Sequence, residues 1–428
     1  MSVKLYVSDF HMGAGASSQH EDFKYHPPGV SMYDTTRDFV LDKYFADFIN
    51  WITTNLNHCP DIQLYLNGDI FDFSMISLPG ESIAFPYEKE AGEKIKIIMM
   101  AHAQFFDALV KFCAQENTTL KFFKGNHDWE LNWPTVQKLI IDRILPAHPE
   151  KVHFLYEELD KGTYCRHGEN EPSIKNNNAK PIITYVELGK LPAALKKSRL
   201  NFALREVLDV PLSYYMLQEL MYNLKPYNYL MGRMYTHGFV WLDAIKNIGC
   251  QSWYRSRLFP FYATYYFFRV LFYHILFARF WHIKMKTSLK KILQLLWWTM
   301  AGVLKGTAPR DSALKILHNK EDVDCVIYSH EHQYTFEVIQ VNNKVKTYIN
   351  TGTWTPQIRE KMAAKIIPWK RFLWLQDCLK LVRGILAKPK LELVWKCSVA
   401  LETIDKDGNK NRRLVEWSLE EKTLKQMS

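Results

Sequence analysis

Residues 3–13, VKLYVSDFHMG, set a short apolar run directly against an Asp-x-His pair, Asp9 and His11. A brief run of apolar, β-branched and aromatic residues that stops at turn-forming residues reads as a buried strand. The same grammar recurs down the chain. IQLYL (62–66) leads into NGDIFDF with Asp69, LKFF (120–123) into GNHDWE with Asn126, and VDCVIY (323–328) into SHEHQY with His330 and His332. His167, in RHGEN, completes the set. Helical stretches fall between these runs, at 38–56, 90–116 and 133–145, and strands alternating with helices predict an α/β fold. Residues far apart in the chain, each at a strand end, are what one site on the edge of one open sheet requires.

The residue types point to metal. Asp9, Asp69 and Asn126 offer oxygen, His11, His167, His330 and His332 offer imidazole nitrogen, and no thiolate accompanies them. That mixture suits hard-to-borderline divalent ions, manganese first, with iron or zinc as alternatives. Each signature alone says little. Asp-x-His is common, GNHD reads equally well as a turn, and a lone His is more often structural than a ligand. Their conjunction, in this order, carries the argument.

In that order the signatures resemble those of the calcineurin-like metallophosphoesterases, which carry D-x-H, G-D, G-N-H-D, a mid-chain His and G-H-x-H. The resemblance covers residues 1–172 and 311–358, and Ser329 stands where that family usually has Gly. It implies an α/β sandwich and two metal ions. Asp9, His11 and His332 would hold the first, Asn126, His167 and His330 the second, and Asp69 would bridge them. Such a pair, about 3.5–4 Å apart, shares a hydroxide for in-line attack at phosphorus. The resemblance also makes His127 catalytic, protonating the leaving group or stabilising the transition state. Asp128 would hold its imidazole in one tautomer, against the plainer reading of a helix N-cap. Asp72 and Glu169 read as turn or supporting groups, and NTGTW (350–354), after a hairpin at 335–349, matches another family feature.

The chain has 428 residues, 47% hydrophobic and 23% charged, the composition of a globular enzyme with room for more than one domain. Seven scattered cysteines without a C-x-x-C argue for a reducing compartment. A cleaved leader would remove Asp9 and His11, so a cytoplasmic protein is expected. Two segments interrupt the catalytic pattern. Residues 175–310 hold 20 Lys and Arg against 5 Asp and Glu, and 26 of the 61 aromatics; residues 359–390 hold 9 basic and 2 acidic residues. Their charges of +15 and +7 sit in a chain of net +10, so the remainder carries −12.

This divides the chain into a first catalytic part (1–174), a basic aromatic helical cap (175–310), a second catalytic part (311–358), a basic amphipathic insertion (359–390) and a C-terminal β-hairpin (391–428). Residues 254–281, 289–304 and 369–386 pair apolar stripes with Lys and Arg, the composition of interfacial helices. The longest charge-free run in the insertions, 292–304, has 13 residues, too few to span a bilayer. The plainer reading is the ordinary core of a helical cap. The expected partners are a phosphorylated, lipid-linked substrate and an anionic membrane surface, with the enzyme peripheral to it. In layout the chain is similar to the UDP-diacylglucosamine pyrophosphohydrolases, which usually have Arg where this chain has His127. The competing reading is a nuclease whose basic cap binds nucleic acid. A third, a scaffold that has lost its chemistry, sits poorly with seven retained ligand positions.

Overall fold

The structure, a computed structural model, describes residues 1–13, 35–73, 76, 78, 87–168, 181–184, 205–208, 309–355, 357–360, 391–394 and 396–427. The amphipathic stretches expected at 254–281, 289–304 and 369–386 lie outside these residues, as does Glu169.

The chain opens with β1 (Ser2–Val7), α1 (Thr35–Asn55), β2 (Asp61–Asn67), α2 (Glu88–Ala101), α3 (Ala103–Cys113), β3 (Thr118–Phe123), α4 (Pro134–Ile144), β4 (Val152–Leu155), β5 (Glu157–Asp160) and β6 (Thr163–Arg166). A short antiparallel pair follows, β7 (Pro181–Thr184) and β8 (Arg205–Leu208). Then come α5 (Pro309–Asn319), β9 (Cys325–Tyr328), β10 (Tyr334–Val341), β11 (Lys344–Thr351), β12 (Gln357–Glu360), β13 (Leu391–Val394), β14 (Cys397–Ile404), β15 (Lys410–Ser418) and β16 (Thr423–Gln426).

The fold is mixed α/β. A seven-stranded sheet runs β16-β15-β14-β1-β2-β3-β4, with β1 to β4 parallel. A five-stranded sheet runs β10-β11-β9-β6-β5, with β11, β9 and β6 parallel. The single open sheet expected for the site is therefore two sheets, and the candidate ligands are divided between them.

Alternation along the strands explains the stacking, because successive side chains point to opposite faces. Val3, Leu5 and Val7 of β1 join Phe45 and Phe48 of α1 and Phe105 and Leu109 of α3 in the largest core cluster. Tyr6, Tyr65 and Phe123 face the other way and meet Cys165, Ile327 and Ile349 of the second sheet. On that sheet's far side, Val326, Tyr328 and Tyr348 pack against Ala313 and Leu317 of α5. Strands buried on both faces read as unbroken apolar runs, which is why the sequence signal was clear. Each such buried side chain contributes about 1.5–3 kcal/mol.

Lys4, in the same run, is buried between the sheets as a cation. Its Nζ lies 2.9 Å from Asp160 and 3.1 Å from Glu402. Glu402 also pairs with Arg412 at 2.6 Å, and Arg412 reaches Asp324 at 2.7 Å. Burial alone would lower the Lys4 pKa, yet the Glu402 and Asp160 carboxylates hold it above its ordinary value.

Several elements depart from expectation. The helix expected at 90–116 breaks at His102 into α2 and α3. The C-terminal hairpin expected over 391–428 is present as β14–β15, but β13 stands apart from it and pairs with β12, while β14 pairs with β1. The C-terminal tail contributes β16 to the sheet edge. The hairpin expected at 335–349 is β10–β11, turned through Asn342 and Asn343, both at positive φ as a tight two-residue turn demands.

Candidate metal centre

The five signatures all leave the C-terminal ends of strands. Asp9 and His11 follow β1, Asp69 follows β2, Asn126 follows β3, His167 follows β6, and His330 and His332 follow β9. Past its strands, the β1–β2 pairing continues as a ladder: Asp9 N–H donates to Gly68 O at 3.1 Å, His11 N–H to Asp69 O at 3.0 Å and Met12 N–H to Ile70 O at 3.0 Å. The segment NTGTW locks this ladder to the second sheet. Thr353 Oγ1 donates to Asp9 O at 2.7 Å, Asn350 Nδ2 to Ser329 O at 2.8 Å, and the Trp354 ring stacks on Phe10 at 5.1 Å.

Three donor groups result; one is His11, Asp72 and His127, and the other two correspond to the expected metal sites. In the first of these sites, Asp9, His11 and His332 each present an atom within 4.8 Å of the others; in the second, Asp69, His167 and His330 do the same. Within the first, His332 Nε2 lies 3.1 Å from Asp9 Oδ1 and 3.0 Å from His11 Nε2. Asp69 faces both sets. Its Oδ2 is 3.2 Å from His167 Nε2 and 3.9 Å from His11 Nε2, while Oδ1 accepts the His127 N–H at 2.9 Å. Asn126 adds an oxygen, Oδ1, that is buried and has no hydrogen-bond partner. A buried carbonyl oxygen left unpaired costs about 1–3 kcal/mol unless something else satisfies it, and a cation would.

The electrostatics suit a cation. Burial, with His127 nearby, pushes the His11 imidazole down to about 4, and burial, with His167 nearby, pushes His330 down to about 3. Both are neutral near pH 7 and keep a lone pair. Burial opposes ionisation of Asp9 and Asp69. The His332 and His167 imidazoles nevertheless hold Asp9 below its ordinary value, and His167, His127 and His11 hold Asp69 well below.

The backbone carries a signal that no sequence pattern showed. Asp9 (φ 54°), His11 (48°), Asp69 (51°), His330 (71°) and His332 (56°) are all left-handed. A left-handed non-glycine residue costs about 1–3 kcal/mol and persists only where the surroundings dictate it; such residues cluster at functional sites. The glycines of these turns are equally constrained. At Gly68 (φ 82°) a Cβ would strike the His167 ring, and at Gly125 it would strike Asp69.

His127 packs its ring edge-on to His11, centroids 4.7 Å apart. Its expected partner, Asp128, is engaged elsewhere. Asp128 Oδ2 accepts the Ile70 N–H at 3.0 Å and Oδ1 the Gly125 N–H at 2.6 Å, tying the turn after β3 to the turn after β2. It also fails as a helix cap, since the 3-10 turn after it, Trp129–Asn132, receives no side-chain bond from it. The carboxylate at His127 is Asp72, whose Oδ2 lies 3.1 Å from Nδ1. Burial disfavours charge on His127, but Asp72, Asp69 and Asp128 push its pKa up to about 9. Burial and the Asp69 charge push Asp128 up to about 8, against the pull of its two N–H donors.

Sequence reasoning also missed His102. Fully buried at the break between α2 and α3, it sits 2.9 Å from Asp42 Oδ1 through Nδ1 and 3.1 Å from Gly13 O through Nε2. It thus grips the chain two residues beyond His11. Compared with protein-family models and with curated proteins, the chain matches none.

Proposed function

We propose that the chain is a two-metal phosphohydrolase of the calcineurin-like metallophosphoesterase kind, cleaving a phosphoester or pyrophosphate bond in a lipid-linked substrate. The observation that carries this reading is the pair of donor sets meeting at one Asp69 oxygen, with the unpaired Asn126 Oδ1 beside them. Two sheets sharing a core, with helices on both outer faces, support the sandwich that such enzymes have. Carboxylate, carboxamide and imidazole donors fit manganese best, then iron or zinc.

Two such ions would polarise the phosphoryl oxygens and lower the pKa of the attacking water. The chain's own residues supply the rest. Asp9, His11 and His332 would hold one ion, Asn126, His167 and His330 would hold the other, and Asp69 would serve both. Asp72, 3.1 Å from Nδ1, and Asp69 favour the doubly protonated His127 ring, whose Nε2–H would give its proton to the departing oxygen. Asp128 maintains the turn that carries Asn126 and His127.

The two basic insertions depart from the rim of this site. The first begins just after His167; its strand β8 returns to pack beside Trp129–Asn132, with Leu208 in the main core. The second leaves through β12, just after NTGTW, and returns through β13 in register from Gln357↔Val394 to Glu360↔Leu391. Basic, aromatic segments inserted in the chain soon after the residues of a phosphate-cleaving centre favour a substrate with an anionic head and an apolar tail, met at an anionic surface. Among the described residues no helix is long and apolar enough to cross a membrane.

The test is hydrolysis by the full chain, with manganese, of a phosphomonoester, a cyclic nucleotide, a nucleoside-diphosphate lipid and single-stranded DNA. Turnover of the lipid is expected. Preference for DNA would promote the nuclease reading, and no turnover of any of the four would sink the enzyme.

A further inference from the structure

We infer that Ser329 is a positioning residue for the second donor set, fixing His167 through a closed knot of hydrogen bonds with Asn67. The inference rests on the two-ion reading above. Ser329 is fully buried between β9 and His330. Its Oγ lies 2.7 Å from Asn67 O, 2.9 Å from His167 Nδ1 and 3.1 Å from His167 O. Its backbone N–H donates to His167 O at 2.8 Å, and His167 Nδ1 is itself 2.9 Å from Asn67 O.

The donors and acceptors settle where the protons lie. A carbonyl oxygen only accepts. The Ser329 hydroxyl proton therefore goes to a carbonyl, and the Nδ1 proton of His167 is shared between Asn67 O and Ser329 Oγ. Nε2 is left as the lone-pair nitrogen, 3.2 Å from Asp69 Oδ2, facing the donor set. Supporting bonds of this kind fix the tautomer and the ring angle of a metal-binding His.

The knot also joins three strands from two sheets. Asn67 ends β2 in the seven-stranded sheet, and its Nδ2 donates to Arg166 O at 3.2 Å, at the end of β6 in the other. Its Oδ1 accepts from Cys165 Sγ at 3.3 Å. Ser329 brings in β9. Glycine at 329 would retain the backbone bond to His167 O and lose all three hydroxyl contacts. The backbone gives no reason for glycine, since Ser329 does not have the positive φ of its neighbour His330.

The test uses the full chain with Ser329→Ala and Ser329→Cys, the second keeping side-chain bulk while weakening the hydrogen bonds. Manganese binding is titrated by calorimetry and electron paramagnetic resonance, with circular dichroism as the check on folding. Wild type is expected to bind two ions. Both variants should keep the first affinity and bind the second ion about 10–100-fold more weakly. Two-bond proton–nitrogen spectra of the metal-free protein should show His167 protonated at Nδ1 in wild type and as mixed tautomers in the variants. If Ser329→Ala does not fold, Ser329→Cys decides alone. A wild type that binds no manganese would bring down the two-ion reading itself. A wild type with two ions, matched by a variant with the same second affinity and the same tautomer, would overturn the role of Ser329 and leave that reading intact.

Discussion

Asp69 stands where the two donor sets meet, its Oδ2 lying 3.2 Å from His167 Nε2 and 3.9 Å from His11 Nε2, and the His330 backbone N–H adds a longer contact to Asp9 Oδ2 at 3.4 Å. Asp69→Ala is therefore expected to abolish hydrolysis and to reduce bound metal below two ions per chain, as read by elemental analysis; two tightly held ions in that variant would rule the assignment out. His127 has a different expected signature. His127→Asn should retain metal and lose about 10²–10⁴ in rate on a poor leaving group, and much less on nitrophenolate, if it donates the proton. Because Asp72 holds the His127 ring, Asp72→Asn should reproduce a weaker version of the same leaving-group dependence, whereas Asp128→Asn should not. Equal losses on both leaving groups would turn His127 from an acid into an electrostatic stabiliser. At this scale the sequence was legible for residue types and their order, since Asp, Asn and His after apolar runs announce themselves. Which carboxylate serves His127 was not legible. Asp128 is adjacent in sequence, but its oxygens are taken by the Gly125 and Ile70 N–H groups, and Asp72 arrives from another strand.

Turns rather than strands do the positioning at the next scale. Five of the candidate ligands sit on left-handed backbone, which lets the chain reverse within two or three residues of a strand end and aim several side chains at one point. Strand and helix periodicity reports faces, not turn dihedrals, so this strain had no sequence signature apart from Gly68 and Gly125. The break at His102 was hidden for a related reason. Residues 90–116 contain no proline, and the apolar spacing runs on through the break. The helix stops because His102 turns inward to join Asp42 and Gly13 O. Both imidazole nitrogens face acceptor oxygens and a neutral ring has one N–H to give, so breaking this clamp removes at least one buried hydrogen bond. His102→Ala is expected to lower unfolding stability by about 1–3 kcal/mol per lost bond, seen as a lower urea midpoint. Released from Gly13, the His11 turn should also bind manganese more weakly. An unchanged midpoint would show that the clamp contributes nothing to the fold.

Across the whole molecule, charge is divided as sharply as structure. The two insertions carry +15 and +7, and the rest of the chain carries −12. The apolar runs left the stacking of two sheets open, since a run buried on both faces does not say whether its second cover is helix or sheet; only the family resemblance implied a sandwich. Lys4 was a clue, since a cation inside such a run requires carboxylates opposite, and the buried Glu402 and half-buried Asp160 supply them. The insertions were legible by composition, and the attachment of the second is now explained: β12 and β13 form a stem, so the 30 residues between them interrupt the fold without pulling its sheets apart. Such a body is expected to meet an anionic bilayer with its insertions and turn its acidic remainder away. Each engaged Lys or Arg contributes about 1 kcal/mol near an anionic surface, so a handful gives reversible attachment. Buried Trp and Phe side chains add a part that salt does not screen. Sedimentation with anionic liposomes should therefore weaken with rising salt and level off above zero, and neutral liposomes should bind less. Nucleic acid would instead lose affinity steeply and continuously across the same salt series. Tight, salt-sensitive DNA binding together with no sedimentation on anionic liposomes would replace the membrane with a polynucleotide as the partner of the basic insertions.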